Sequence, residues 1–238
     1  MQINSFIDSL KELNIELDEE KLKKLEIYYN FLNEYNEHTN LTAITEKEDV
    51  YLKHFYDSLT ISKVVDLNNI DSLLDIGTGA GFPGIVLKIV YPNIKLTVLD
   101  SNNKKTTFIK LLLEKLNIND VTIINDRAEN YALKHLNEFD IVTSRAVAFM
   151  DIIISLSFPF IKKEGKVILM KGNLDNELSI LNNHKKELDI NKFSINSFKL
   201  PISGDERNIV VLEKNNLSTK VLNYNQILKR NKLWNKTT

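Results

Sequence analysis

Residues 75–84, Asp-Ile-Gly-Thr-Gly-Ala-Gly-Phe-Pro-Gly, combine an acid with four glycines: Gly77, Gly79, Gly81 and Gly84. The apolar run of residues 73–76 suits one buried strand, and a helix starts near residue 85. A strand, a Gly-rich turn and a helix let backbone approach a ligand closely at a helix N-terminus. Two ligand classes fit. Gly79-Ala80-Gly81-Phe82-Pro83-Gly84 satisfies the Gly-x-Gly-x-x-Gly pattern of dinucleotide sites, with Asp100 following Gly79 by 21 residues where ribose hydroxyls would be held. Three features favour S-adenosylmethionine instead. Asp75 inside the strand suits a methionyl amine or sulfonium better than a pyrophosphate. The turn begins at Gly77, giving the looser Gly-x-Gly-x-Gly loop. No second substrate domain follows to hold a hydride acceptor. Asp100, closing the next strand, serves the ribose in either reading. Asp126-Arg127-Ala128-Glu129 falls where the adenine would be met.

Absences narrow the methyl acceptor. The chain has no cysteine, so covalent addition to a pyrimidine carbon lacks its nucleophile. No Pro-Pro occurs, and the end of the fourth strand reads Thr143-Ser144-Arg145-Ala146 instead of the Pro-Pro-aromatic run of exocyclic-amine methylation. Ribose hydroxyl methylation wants an acid there, and Arg145 has the wrong sign. An arginine suits a nucleophile that needs no deprotonation and presents acceptors, as the guanine N7/O6 edge does. His54, Asp57 and Ser58 are spaced to share one helical face.

The elements that must position these residues alternate. Strands are expected at 72–76, 95–99, 121–125, 139–144 and 166–170, with helices at 84–90, 103–116, 129–135 and 151–162 between them. This order implies a parallel α/β sheet covered on both faces. A helix at 175–187 and strands at 192–199 and 207–213 follow, the last two joined antiparallel across the Pro201–Gly204 turn. Parallel strands ending in an antiparallel pair is the order of the seven-stranded methyltransferase sheet. Residues 2–36 read as two helices. Asp18 caps the second, and Leu22, Leu25, Tyr28, Tyr29 and Leu32 form its packing stripe. A further helix is expected over 50–65. The expected division is N-terminal helices (1–65), sheet domain (66–214) and basic tail (215–238). The tail carries Lys220, Lys229, Arg230, Lys232 and Lys236 with no acid, and a short basic tail of this kind is expected to be solvated or frayed.

The net charge of −1 excludes a global basic signature, so any polyanion contact must be local. No apolar run approaches the roughly 20 residues of a membrane span, and the first ten residues do not read as a signal peptide. The absence of cysteine fits the cytoplasm.

Together, Asn40-Leu41-Thr42, His54 with Asp57-Ser58, residues 75–84, Asp100-Ser101 with Lys104-Lys105, Ser144-Arg145-Ala146, Lys171-Gly172 and residues 205–208 (Asp-Glu-Arg-Asn) carry a resemblance. The chain resembles the bacterial 16S ribosomal RNA guanine-N7 methyltransferases, the glucose-inhibited division protein B family. The resemblance implies the class I S-adenosylmethionine-dependent methyltransferase fold, a Rossmann-like, mostly parallel α/β sheet of seven strands with an N-terminal helical extension. It implies methyl transfer to nitrogen-7 of one guanine in 16S rRNA of the 30S subunit, by a cytoplasmic monomer without a metal. Gly77, Phe82, Ala128, Glu129 and Arg145 would hold the cofactor, with Asp75, Gly79, Gly81, Asp100 and Ser101 around them. His54, Asp57, Arg145 and Lys171 would serve the reaction at the substrate mouth. Lys104, Lys105, Lys171 and Arg207 would meet RNA phosphates. Asp57 and Asp75 are the expected counter-charges to the developing guanine cation. The alternatives are a small-molecule methyltransferase and a non-catalytic nucleotide-binding module.

Overall fold

The structure, a computed structural model, describes residues 3–174 and 177–234. Seven strands form one sheet: β1 (Ser72–Ile76), β2 (Lys95–Leu99), β3 (Val121–Ile124), β4 (Phe139–Arg145), β5 (Ile161–Lys171), β6 (Ile190–Lys199) and β7 (Glu206–Lys214). Their spatial order is β3-β2-β1-β4-β5-β7-β6. The first five pair in parallel, and β7 runs antiparallel to both β5 and β6. The strand order reverses at β1, flanked by β2 and β4, so a crevice opens at its carboxyl end.

Alternate residues of each strand feed opposite cores. Leu73, Leu96, Val98, Ile141, Ile168 and Ile209 face one side, while Leu74, Leu99, Val142, Val167, Leu169 and Val210 face the other. Both faces are buried, and the strands therefore read as nearly continuous apolar runs. The first face is covered by α1 (Ile3–Leu10), α2 (Glu19–Thr39), α5 (Gly84–Val90) and α6 (Asn103–Leu116). Phe31 of α2 stacks on Phe108 of α6 at 5.3 Å and so joins the N-terminal helices to the sheet layer. The second face is covered by α7 (Ala128–Tyr131), α8 (Met150–Ser157), α9 (Glu177–Asn183) and α10 (Tyr224–Trp234).

The strands and helices fall close to their expected places, apart from the differences that follow. The helix expected over 151–162 ends at Ser157. Pro159 locks φ and lacks a donor, so Phe158–Phe160 form a 3₁₀ turn and β5 begins at Ile161. Strand β5 is longer than expected because its first part loops out, and the partners step from Phe139 with Ile161 to Ile141 with Lys166. The segment 50–65 is helical but not one α-helix. It runs from α3 (Lys47–Val50) through a π-helical turn (Tyr51–Tyr56) and α4 (Asp57–Leu59) into a 3₁₀ turn (Thr60–Lys63). His54 lies inside the π turn, a feature that recurs at functional sites. Within the described part of the tail, α10 packs on the second face through buried Ile227, so this part is not simply solvated. The observed α9 covers only part of the expected 175–187; positions 175 and 176, like Lys236, lie outside the described residues.

Asp18 caps α2 as its sequence position implies, accepting a 2.8 Å bond from the Lys21 amide. The stripe of α2 is shifted slightly: Leu25, Tyr28, Phe31 and Leu32 are buried, whereas Leu22 and Tyr29 are half-buried. Replacing Asp18 by Ala is expected to cost about 1 kcal/mol, read as a fall in Tm of roughly 2–4 °C, while Asp18→Ser stays near wild type. Equal thermal curves for all three proteins would refute the cap.

Candidate active site

Two cavities open at the carboxyl edge of the sheet. The larger, about 450 Å³, runs along the glycine turn and the ends of β2, β3 and β4. The smaller, about 280 Å³, lies between the 50–57 segment, β5 and β7. They share only His54, Arg145 and Ala146. Ala146 holds φ 56°, a left-handed conformation rare outside glycine, so the chain leaving β4 turns sharply where the cavities meet.

The glycine turn is pinned at both ends. Gly77 N donates to Leu99 O at 2.7 Å, and Gly79 N donates to Asp100 Oδ2 at 3.0 Å. Asp100 also accepts from Asn102 N at 2.9 Å, with Lys105 Nζ 3.7 Å away. Gly81 has φ 99°, and a Cβ there would lie 2.6 Å from the Tyr28 hydroxyl. Only glycine admits both the conformation and this neighbour. Tyr28 in turn donates to Ala80 O at 2.5 Å. Burial pushes its phenol pKa up, so it remains a donor.

Asp75 is fully buried but lines neither cavity. Its Oδ2 accepts from Gly84 N at 2.9 Å, tying β1 to the start of α5. Burial pushes its carboxyl up to about 6, against the opposing influence of Thr78, Gly84 N–H and Arg145. The Thr78 hydroxyl is near enough to lower that pKa, yet its geometry falls short of a hydrogen bond. Asp75 Oδ1 and Thr78 Oγ1 are thus buried without a hydrogen-bond partner among the described residues.

Phe82 is the middle of an aromatic stack. Tyr28 lies on one side at 5.2 Å and His54 on the other at 4.4 Å, both close to parallel, and the Arg145 guanidinium stands 5.0 Å from the Phe82 centroid. Arg145 Nη1 donates to Lys53 O at 3.0 Å and lies 3.4 Å from Asp57 Oδ2, while Nη2 meets His54 Nδ1 at 3.0 Å. Arginine can only donate, so Nδ1 of His54 is the acceptor and carries no proton. Its 3.2 Å approach to Lys53 O is then a contact between two acceptors, not a hydrogen bond. The imidazole proton sits on Nε2, 3.0 Å from Thr42 Oγ1. Burial, reinforced by Arg145, pulls the His54 pKa down to about 3. Burial raises Asp57, but Arg145 and then Arg207 act against it, and Arg207 Nε donates to Asp57 Oδ1 at 3.2 Å. Burial lowers Arg145, and Asp57 and then Asp75 hold it up.

Of the expected cofactor residues, Gly77, Gly79, Phe82, Asp100, Ser101, Ala128, Glu129 and Arg145 converge on the larger cavity, whereas Gly81 and Asp75 support it from behind. Glu129 is clasped by Arg127 Nε at 2.5 Å, and Arg127 lies over Tyr224, which brings the first residue of α10 into the cavity wall. His54, Asp57, Arg145, Lys171 and Arg207 converge on the smaller cavity. Lys104 is exposed and lines neither, and Lys105 lines the larger one instead of standing apart from it. Lys171 Nζ is engaged by Ala148 O at 2.8 Å and Glu177 Oε2 at 2.9 Å.

Sequence reasoning gave no part in the site to Tyr28, Asn36, Thr42 or Glu177. Asn36 and Thr42 clamp each other in both directions, at 2.9 and 3.0 Å, which presents the Thr42 hydroxyl to His54. Asn40-Leu41-Thr42 was visible as a motif, but its partner His54 is 12 residues on. Tyr28 acts 52 residues away and carries no local signal beyond its helical stripe.

The acids beyond β2 and β3 can accept ribose hydroxyls, the open glycine turn and apolar walls suit a nucleoside, and about 450 Å³ lies in the range of small-ligand sites. S-adenosylmethionine fits this donor set. Among the described residues no cluster of His, Cys, Asp and Glu could hold a metal, and no helix is long and apolar enough to cross a membrane.

The geometry fixes the His54 tautomer. Nitrogen-15 NMR should show His54 neutral and Nε2-protonated from pH 8 to pH 5. Because the folded pKa lies below the unfolded value near 6.5, the unfolded chain binds the extra proton between pH 6.5 and about 3, and the His54 contribution to stability falls as pH drops through that range. Titration of His54 near pH 6.5 would overturn the Arg145 donation.

Comparison with known proteins sets this geometry in a family. The model of the family described as rRNA small subunit methyltransferase G matches residues 21–210. Ribosomal RNA small subunit methyltransferase G of Bacillus subtilis is 42% identical over 217 residues, covering 90% of this chain and 91% of that protein. The protein of the same name from Oceanobacillus iheyensis is 42% identical over 232 residues, covering 92% and 94%. Among solved structures, precorrin-6y C5,15-methyltransferase from Geobacter metallireducens superposes with a TM-score of 0.52 at 21% identity, covering 72% of this chain and 90% of that one. Ribosomal protein L11 methylase from Lactobacillus delbrueckii gives 0.53 at 16% identity, covering 72% and 81%; both likenesses concern the fold. With its matched core, its seven-stranded sheet and its Asp100, Phe82 and Arg145 in place around one cleft, the chain belongs to the rRNA small subunit methyltransferase G family.

Proposed function

We propose that the chain transfers the methyl group of S-adenosylmethionine to nitrogen-7 of a guanine in 16S rRNA, acting as a cytoplasmic monomer on the small ribosomal subunit. Membership of the family makes it a methyltransferase. Two cavities that share a wall of His54, Arg145 and Ala146 give donor and acceptor separate places with one meeting point. The N-terminal helices (1–65) and tail (215–238) serve as extensions of the sheet domain (66–214).

S-adenosylmethionine bound in the larger cavity supplies a methyl group already activated on a sulfonium. Asp100 and Glu129 hold its nucleoside, the side-chain-free turn at Gly77 and Gly79 lets its polar end approach the backbone closely, and Phe82, Ala128 and Ser101 complete the walls. The one observation that carries the acceptor assignment is that the wall between the cavities offers no base. His54 in that wall is neutral with both nitrogens committed, and behind it in the smaller cavity Asp57 is held by two arginines and Lys171 is paired with Glu177. The nucleophile must therefore bring its own lone pair, as guanine N7 does. Catalysis rests on alignment, which can supply several kcal/mol of barrier lowering. Arg145 serves the wall, because its donors are directed to Lys53 O, His54 and Asp57. Arg207 can reach an acceptor edge or a phosphate from the smaller cavity. Lys104, exposed on α6, and Lys105, at the larger cavity, would meet the RNA backbone. Asp57 offsets charge on the acceptor side, and Asp75 acts through the turn it braces.

Incubation with labelled S-adenosylmethionine and 30S subunits from a strain deleted for the enzyme should place label on one guanine N7 of 16S rRNA. No label in 16S rRNA would remove the reading. Asp100→Asn should weaken cofactor binding about tenfold or more, since a hydrogen bond to a charged group is at stake. Arg207→Ala should lower methylation of 30S subunits while cofactor affinity by calorimetry is retained. Equal loss of both in the Arg207 variant would assign that arginine a purely structural role.

A further inference from the structure

Between β4 and α8 the chain passes Ala146, Val147 and Ala148, all of which line the larger cavity, and then reaches Phe149. The Phe149 side chain lines neither cavity and is 68% exposed. A single exposed apolar residue is ordinary. What sets this one apart is how firmly its backbone is held. Ala148 O, just before it, accepts from Lys171 Nζ at 2.8 Å. Met150 N, just after it, donates to Glu177 Oε2 at 2.7 Å. Lys171 and Glu177 are themselves an ion pair at 2.9 Å. Both peptide groups flanking Phe149 are therefore fastened by one ion pair, contributed by the end of β5 and the start of α9. The carbonyl of Phe149 is also used, accepting from Ile152 N at 3.1 Å and Ile153 N at 3.0 Å at the start of α8.

A side chain fixed at its root and bare at its tip presents an aromatic face to something outside. Its surroundings indicate what. The smaller cavity is walled by Lys53, Arg145, Lys171 and Arg207; Asp49, Asp57 and Glu177 pair with these cations, and because Asp57 serves both arginines the cluster keeps a net positive charge, which suits a phosphate-bearing ligand. Single-stranded nucleic acid is held by such cationic grooves together with aromatic rings on which bases stack. A base that enters a cavity must leave its own stack, which exposes the face of its neighbour.

We infer that Phe149 is a stacking platform for an unpaired base next to the guanine that enters the smaller cavity, and that the Lys171–Glu177 ion pair is the latch that presents it. The inference rests on the RNA-methylation reading above and adds a substrate contact made by no residue considered so far. Phe149 fixes the RNA; it does not touch the reacting atoms.

The test is steady-state methylation of 30S subunits by the full chain. Wild-type activity is measured first, and its absence would be a failure of the RNA reading, seen before any variant is compared. Phe149→Leu keeps an apolar side chain and loses the ring. It should raise KM for 30S subunits roughly 5- to 100-fold, the range of one lost base–aromatic stack, with calorimetric affinity for S-adenosylmethionine and Tm unchanged. Phe149→Trp should restore KM to near the wild-type value. In the Phe149→Leu background, Glu177→Gln should add little further to KM, because the latch then has nothing to present. With p-benzoylphenylalanine in place of Phe149, irradiation should crosslink to 16S rRNA within a nucleotide or two of the methylated guanine. A Phe149→Leu enzyme equal to wild type, a Phe149→Trp enzyme as poor as the leucine variant, or a crosslink to ribosomal protein would overturn the platform. Additive penalties would overturn the latch.

Discussion

A guanidinium set into a cavity wall, with most of its surface withdrawn from water, must be compensated where it stands, because taking a charge out of water is costly. Arg145 is in that position at the end of β4. Its compensation comes from Asp57, from the carbonyl of Lys53, from the unprotonated nitrogen of His54 and from the negative face of the Phe82 ring. All but one of these lie on the helical 50–57 segment, and Phe82 lies on the glycine turn. A single charge thus draws the sheet, the N-terminal helical layer and the turn to one point. That point is also the wall between the two cavities. The same interaction decides the protonation of His54, since a ring nitrogen that accepts from arginine cannot also carry a proton.

The N-terminal helices belong to the site as much as to the core. From α2, Tyr28 reaches the Ala80 carbonyl and stacks on Phe82, and Asn36 holds Thr42 against His54. The stack Tyr28–Phe82–His54 carries packing from the helical layer to the cavity wall. Gly81 is the reciprocal feature, since it leaves the space that Tyr28 occupies. The glycine turn is therefore shaped from outside by side chains of the extension as well as by its own backbone.

The acids around the turn divide by location. Asp100 opens onto the larger cavity and orders the turn through Gly79. Asp75 is sealed beneath the turn and braces α5 through Gly84. The two had similar claims on a ligand when viewed along the chain, because both flank the glycines. Their difference is one of strand geometry: Asp75 lies inside β1, where its side chain is sealed beneath the start of α5, whereas Asp100 follows the last residue of β2 and is released at the edge.

The sequence by itself determined the alternation of strand and helix, the antiparallel finish, the cap at Asp18 and the glycine turn with Asp100 behind it. Each depends on local periodicity, on one capping residue or on glycine's conformational freedom, and these act over a few neighbours. Through resemblance it also marked His54, Asp57, Arg145 and Lys171 for the reaction and Arg207, with Lys104, Lys105 and Lys171, for RNA phosphates. Only the tertiary structure decided what each of them does. Arg145 meets His54 from 91 residues away, and Arg207 meets Asp57 across 150. Whether a lysine is a free cation or one half of a latch, as Lys171 is, depends on which backbone carbonyl and which carboxylate the fold brings beside it. The same holds for the helix at 151–162, which the pattern extended and Pro159 ended, and for the tail, whose charge suggested solvent and whose Ile227 found the core. Pairing across the chain follows from the closing of the sheet and its two layers, which no short window of residues encodes.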